Sequence, residues 1–133
     1  MGFTITSTLA GLLALIAIPL TLHISIRRAA IGMKSGKIDA AVFGDVGDPM
    51  LRSSIRAFSN FMEYTPLALI LLALMEAQGA PETLLWWVGG AFVAGRVVHA
   101  LSMTFIPRNP APRGLAMLPT YAAFLVPAWW LLT

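Results

Sequence analysis

No cysteine occurs among the 133 residues. That excludes a disulfide framework, thiolate metal sites and a cysteine nucleophile, and it leaves the redox compartment open. Charge is the second scarcity. Charged residues make up 11% of the chain, where a soluble domain carries about 25%. That is too little polar surface for a water-exposed globule or for a disordered, solvated chain. Apolar residues fill the gap: 58% of the sequence is hydrophobic and the mean hydropathy is +0.79. The composition is that of an integral membrane protein. A net charge of +3 would fit a nucleic-acid partner only if the basic residues formed a patch interleaved with aromatics. Apart from Arg96 inside the third apolar segment, they stand singly, or as the pair Arg27-Arg28, at segment edges. Lipid headgroups and topology account for them, and no nucleic-acid partner is expected.

A hydrocarbon layer about 30 Å thick is crossed by about 20 apolar helical residues. Four segments meet this requirement, approximately 3–26, 53–76, 83–106 and 114–132. The first carries no formal charge and ends at Arg27-Arg28. It lacks the basic leading region and short apolar core of a signal peptide. From Ala57 to Met75 the only charge is Glu63, from Thr83 to Ile106 it is Arg96, and from Gly114 to Thr133 there is none. The expectation is an all-α, four-helix membrane bundle forming a single domain over 1–133.

Loop one carries Arg27, Arg28, Lys34, Lys37 and Arg52, loop three carries Arg108 and Arg113, and loop two (76–82) has no basic residue. The positive-inside rule puts loops one and three in the cytoplasm and both termini outside. Trp86-Trp87 open the third span and Trp129-Trp130 close the fourth. Both pairs then fall at the outer interface, where indoles collect. Asp48-Pro49 reads as an N-cap with proline at the first helical position. Gly79 and Pro81 delimit a short connection between spans two and three. Loop one, with Gly32, Gly36, Gly44 and Gly47, is expected to be the one long flexible segment. Its Asp39, Asp45 and Asp48 match no calcium-loop spacing and read as solvated, so no metal is expected.

A charge inside a span costs at least ~2.5–3.5 kcal/mol, so each is a functional candidate with a partner to be named. Arg56, Asn60, Glu63 and Tyr64 form one stripe about 100° wide on the second helix. Arg96, His99 and Met103 form another on the third. Glu63 and Arg96 both lie about 15 Å from the loop-one side at the standard helical rise, so they are expected to pair. A structural ion pair is one account of them. Arg56, Asn60, Tyr64 and His99 line the way from that pair to the basic loops, which a lone bridge does not need. A polar cleft for a small charged ligand is the fuller account. Guanidiniums clamp carboxylates, and Glu63 suits an ammonium group. His23 is given no role.

The run Arg56-Ala-Phe-Ser-Asn60-Phe-Met-Glu63-Tyr64-Thr-Pro66 resembles the second-helix signature of the MAPEG family, the membrane-associated proteins in eicosanoid and glutathione metabolism. Arg27-Arg28-Ala and Gly95-Arg96-Val-Val-His99-Ala are similar to that family's corresponding segments. The resemblance covers nearly the whole chain and suggests a bacterial-type member in the inner membrane. It implies a homotrimer with glutathione at each subunit interface near the cytoplasmic side. Arg56, Asn60, Glu63 and Tyr64 match residues that contact glutathione, with Arg96 and His99 alongside. Arg27 or Arg28 would reach in from a neighbouring subunit. An arginine near the start of the fourth helix stabilises the glutathione thiolate in catalytic members. Arg113 is the best placed here, and Arg108 is second. His99 and Met103 stand where the eicosanoid-synthesising members carry tyrosines, and Pro110 falls where their arginine spacing enters the fourth helix. An eicosanoid substrate is therefore not expected.

The resemblance leads to a glutathione-dependent transferase or peroxidase acting on hydrophobic electrophiles drawn from lipid. A non-catalytic glutathione- or lipid-binding scaffold of the same fold is the alternative. A proton-coupled exporter of similar size would need an acid in the first span, and there is none. The orientation is directly testable because the chain has no cysteine of its own. Lys34→Cys should react with a membrane-impermeant maleimide only after permeabilisation, and Gln78→Cys should react in intact cells. The reverse pattern would invert the topology.

Overall fold

The computed structural model describes residues 2–36 and 38–133. Lys37, counted above in loop one, lies outside them. Six helices follow one another, with no strand among the described residues: α1 (Thr4–Ser35), α2 (Ile38–Phe43), α3 (Pro49–Ala77), α4 (Glu82–Phe105), α5 (Pro110–Leu115) and α6 (Leu118–Leu132). α1, α3 and α4 are each long and apolar enough to cross a membrane, and α5 with α6 makes a fourth crossing over Pro110–Leu132. The chain is a multi-pass, all-α membrane protein.

The helix ends follow from local chemistry. The Asp48 side chain accepts from the Leu51 N–H at 2.6 Å, and Pro49 occupies the first turn of α3. Asn109 does the same for α5, accepting from the Ala111 N–H at 3.1 Å. Gly79, at φ +80°, turns the chain between α3 and α4, a conformation that costs glycine little.

Two stretches differ from the sequence expectation. Loop one is largely helical: α1 runs on past Arg27-Arg28 to Ser35, and α2 packs back against it. Gly32 permits this, since a Cβ there would lie 3.3 Å from the Ile38 Cα. Its glycines mark close approach and turning points rather than a flexible tether. The fourth crossing begins at Pro110 rather than near 114 and breaks at Ala116-Met117, so Arg113 sits on the separate short helix α5.

α3 and α4 form the central pair, and α1 and α6 each lie against both of them. Leu9 and Leu13 of α1 meet Phe61, Leu72 and Phe92 in the buried core. Leu9 fills the space above Gly89, where an added Cβ would fall 2.2 Å from its Cδ1. Gly95 lets α4 approach the Ala116 carbonyl, which would lie 2.9 Å from a Cβ there. The outward faces, including Leu15, Ile18, Leu22, Ile70 and Leu125, are exposed and apolar, as lipid requires.

The N-terminus of α1 is capped from another helix. Glu76, in the last turn of α3, accepts from the Ile5 N–H at 2.9 Å, the Thr6 N–H at 2.8 Å and the Thr6 hydroxyl at 2.6 Å. A carboxylate satisfies two otherwise orphaned donors and sits at the favourable end of the helix dipole. Glu76→Ala should lower stability by about 1–2 kcal/mol, the usual cost of losing an N-cap. Thermal unfolding in mild detergent checks this, and an unchanged midpoint would remove Glu76 from the fold's supports.

Candidate functional site

A cavity of about 1250 Å³ lies at the bundle end that carries loops one and three. Its wall on α3 is built from Arg52, Arg56, Asn60 and Glu63, spaced four, four and three residues apart and hence on one helical face. His99 and Met103 of α4 stand opposite, and Arg27, Arg108 and Arg113 complete the rim. The Ser53 hydroxyl donates to the Met103 carbonyl at 2.6 Å and fixes α3 to the end of α4 beside the opening.

Five arginines therefore face one space. Loop one neutralises two of them. Arg27 donates from Nε and Nη2 to the two carboxylate oxygens of Asp48, each at 3.0 Å, in a bidentate pair. Arg52 donates from Nε to one carboxylate oxygen of Asp45, a single contact rather than a fork. The Arg27 guanidinium holds the Asp48 carboxyl below its ordinary value of 3.8, and Arg52 does the same for Asp45. Arg56, Arg108 and Arg113 have no acidic partner among the described residues. Arg113 lies 3.8 Å from the Met103 sulfur, a weak acceptor. Glu63 is exposed and is the one acid on the cavity wall.

The expected Glu63–Arg96 pair is not formed: Arg96 has no ion-pair partner among the described residues. Arg96 is 1% exposed, behind the wall, and donates from Nη1 to Asn60 Oδ1 at 2.9 Å. Its Nη2 reaches the Thr120 hydroxyl and the Met117 sulfur on the α6 side. The reason is angular. Asn60 and Glu63 share a stripe but are separated by about 60° around α3, so Asn60 turns toward α4 while Glu63 turns outward. Depth along a helix does not fix which way a side chain turns.

The other residues singled out from sequence divide as follows. Arg27, Arg56, Asn60, Glu63, His99 and Arg113 line the cavity. Tyr64 does not line it; its ring lies 5.7 Å from the Arg96 guanidinium and 5.9 Å from the Phe124 ring. Arg28 is half-buried beside the cavity-lining Arg27 and is not on the wall. Sequence reasoning missed Arg52 and Thr120 as site residues. Both left a signal. Arg52 precedes Arg56 by four residues and so shares its face, and Thr120 is, with Tyr121, one of two hydroxyls in an uncharged span, where a buried guanidinium needs acceptors.

A model of the MAPEG family matches residues 6–133. Curated relatives include the inner membrane protein YecN of two strains of Escherichia coli, each 39% identical over 57 residues. The match spans 43% of this chain and 44% of the relative, less than half of either. No solved structure matches.

Because the folded value of Asp48 is depressed, its pairing contributes stability above the unfolded value of 3.8 and loses it as pH falls through the lowered folded value. Unfolding midpoints should therefore drop on acidification through that range. Asp48→Asn should start from a lower midpoint and show a flatter acid limb. An identical slope in the two proteins would mean that Arg27 does not govern this carboxylate.

Proposed function

The chain belongs to the MAPEG family, and we propose that it works there as a glutathione-dependent transferase or peroxidase acting on hydrophobic electrophiles that arrive from lipid. The charge balance of the cavity carries this reading. Three unpaired guanidiniums (Arg56, Arg108 and Arg113) stand against the single carboxylate of Glu63, leaving an excess of two positive charges. Glutathione with its sulfur ionised has two carboxylates, one ammonium and one thiolate, an excess of two negative charges. Neutral ligands would leave the guanidiniums unmatched. The cavity is also larger than the roughly 300–1,000 Å³ usual for a single small ligand, which supports a second substrate beside the tripeptide.

In this reading Arg56 and Asn60 hold a glutathione carboxylate and Glu63 takes the ammonium. Arg113 faces the sulfur, with Arg108 next in line. A free thiol is mostly protonated at neutral pH, and a guanidinium beside it favours the thiolate by Coulomb attraction. The thiolate attacks the electrophile, the new bond to sulfur forms, and the leaving group departs. The cavity mouth would face the cytoplasm of a bacterial inner membrane, where glutathione is maintained. Arg56 and Glu63 are exposed on α3 in the isolated chain. Charged groups at that depth call for a cover other than lipid, which supports a homotrimer meeting along α3, with Arg27 or Arg28 of a neighbour reaching the same ligand.

Calorimetric titration with glutathione, followed by ultraviolet absorbance of the thiolate, tests the reading. Absence of binding would overturn it. Binding without thiolate would favour the non-catalytic scaffold, to which the weak Arg113–Met103 contact lends some support. Arg56→Ala should raise the apparent glutathione constant by about tenfold and leave the saturated rate nearly unchanged. Arg113→Ala should lower that rate and raise the thiol pKa by about one unit, with little change in binding. An unshifted titration and normal turnover would exclude Arg113 from the chemistry.

A further inference from the structure

Arg96 carries a permanent charge that the cavity does not touch. Its partners are neutral: the Asn60 amide, the Thr120 hydroxyl and the Met117 sulfur, with the rings of Phe92 and Tyr64 5.5 and 5.7 Å from its guanidinium. Such a charge costs free energy in the interior, and no ion pair among the described residues offsets it. The contact with Asn60 indicates what the charge does there. Arginine has donors and no acceptor. The Asn60 atom that meets Nη1 at 2.9 Å is therefore the carbonyl oxygen, and the usual ambiguity between amide oxygen and nitrogen does not arise. The Asn60 nitrogen then points away from Arg96. Asn60 lines the cavity, and its two amide hydrogens have no acceptor among the described residues.

We propose that Arg96 is a positioning residue: by holding the Asn60 carbonyl behind the wall, it turns the Asn60 amide hydrogens into the cavity as a preset donor for an anionic group of the ligand. The full charge on one side of the amide polarises it and strengthens the N–H donors on the other. Fixed orientation also removes the need to reorient the amide on binding. An acid partner would have quenched this charge before it reached the cavity. Thr120 and Met117 accept from Nη2 without doing so, and the buried Nε has no partner among the described residues. The inference rests on the glutathione reading only for the identity of the ligand.

Asn60 and Asn109 are the only asparagines in the chain, so asparagine-labelled protein gives two side-chain amide signals in nuclear magnetic resonance. In the absence of ligand, Arg96→Met should move the Asn60 signal and leave that of Asn109 in place. Arg96→Lys, which keeps the charge but not the planar donor pair, serves the same comparison if the methionine variant does not fold. An unmoved Asn60 signal would overturn the proposal, whether or not glutathione binds. With glutathione as the probe, Arg96→Met should bind about tenfold more weakly. It should add nothing further in an Asn60→Ala background, because its effect runs through that amide. Additive losses would mean that Arg96 acts by packing alone. Asn60→Asp should keep or raise the unfolding midpoint, since its carboxylate pairs with Arg96, and should bind glutathione at least about tenfold more weakly. Parental affinity in that variant would overturn the donor role. A parent protein that binds no glutathione would sink the ligand assignment alone, and the ligand-free spectra would still decide the positioning role.

Discussion

The guanidinium of Arg96 cannot shed its proton and lies within a span that crosses lipid. Much of the surrounding architecture follows from satisfying it. Acceptors must come from both sides of α4, and they do: Asn60 from α3, Thr120 and Met117 from the fourth crossing. For those groups to reach it, α4 has to lie against both α3 and α6 at close range. Gly95, the preceding residue, allows that approach by leaving room for the Ala116 carbonyl and Pro119. One buried charge thus fixes the spacing of three crossings in a layer where apolar packing alone discriminates weakly between arrangements.

The crossings were legible because lipid imposes a length and forbids charge, and both are visible in a one-dimensional sequence. Asp48-Pro49 announced the start of α3 for the same local reason that it caps it. The helical part of loop one was not legible. Four glycines there suggest freedom, yet Gly36 ends α1 in the left-handed conformation and Gly32 accepts the close approach of α2. A glycine that permits packing and one that permits motion look alike in sequence. At the site, periodicity gathered Arg56, Asn60 and Glu63 onto one face, and the cavity wall contains all three. It could not say which of them turns inward, because a difference of about 60° separates a wall from an interior and lies within one stripe. The pairing of Glu63 with Arg96 failed on that point. Tyr64, at the far edge of the stripe, fell on the inward side with Arg96 rather than on the wall.

The cavity's positive charge is also graded. Arg27 and Arg52 are held by loop-one carboxylates, while Arg56, Arg108 and Arg113 are not. Three guanidiniums stand available in the cavity and two are already committed to the fold. Counting arginines in the sequence would have treated the five as equivalent. The counter-ions come from a segment that reads as a linker, so the division of labour among the arginines is a property of the tertiary structure.

Glu76 binds the first turn of α1, and Asp48 binds Arg27 near its other end. The two carboxylates mark the ends of α3, Asp48 as its N-cap and Glu76 in its last turn. α1 is therefore fastened to α3 at two points, Ile5 and Arg27, about 33 Å apart along α1 by the helical rise and close to the thickness of the hydrocarbon layer. A bundle tied in this way cannot accommodate a thinner or thicker bilayer by sliding α1 along α3. It has to tilt as a body or deform the lipid around it. Arg27 would keep its height relative to the α3 stripe in membranes of different lipid composition, so the shape of the cavity rim is insulated from the acyl-chain length of its host.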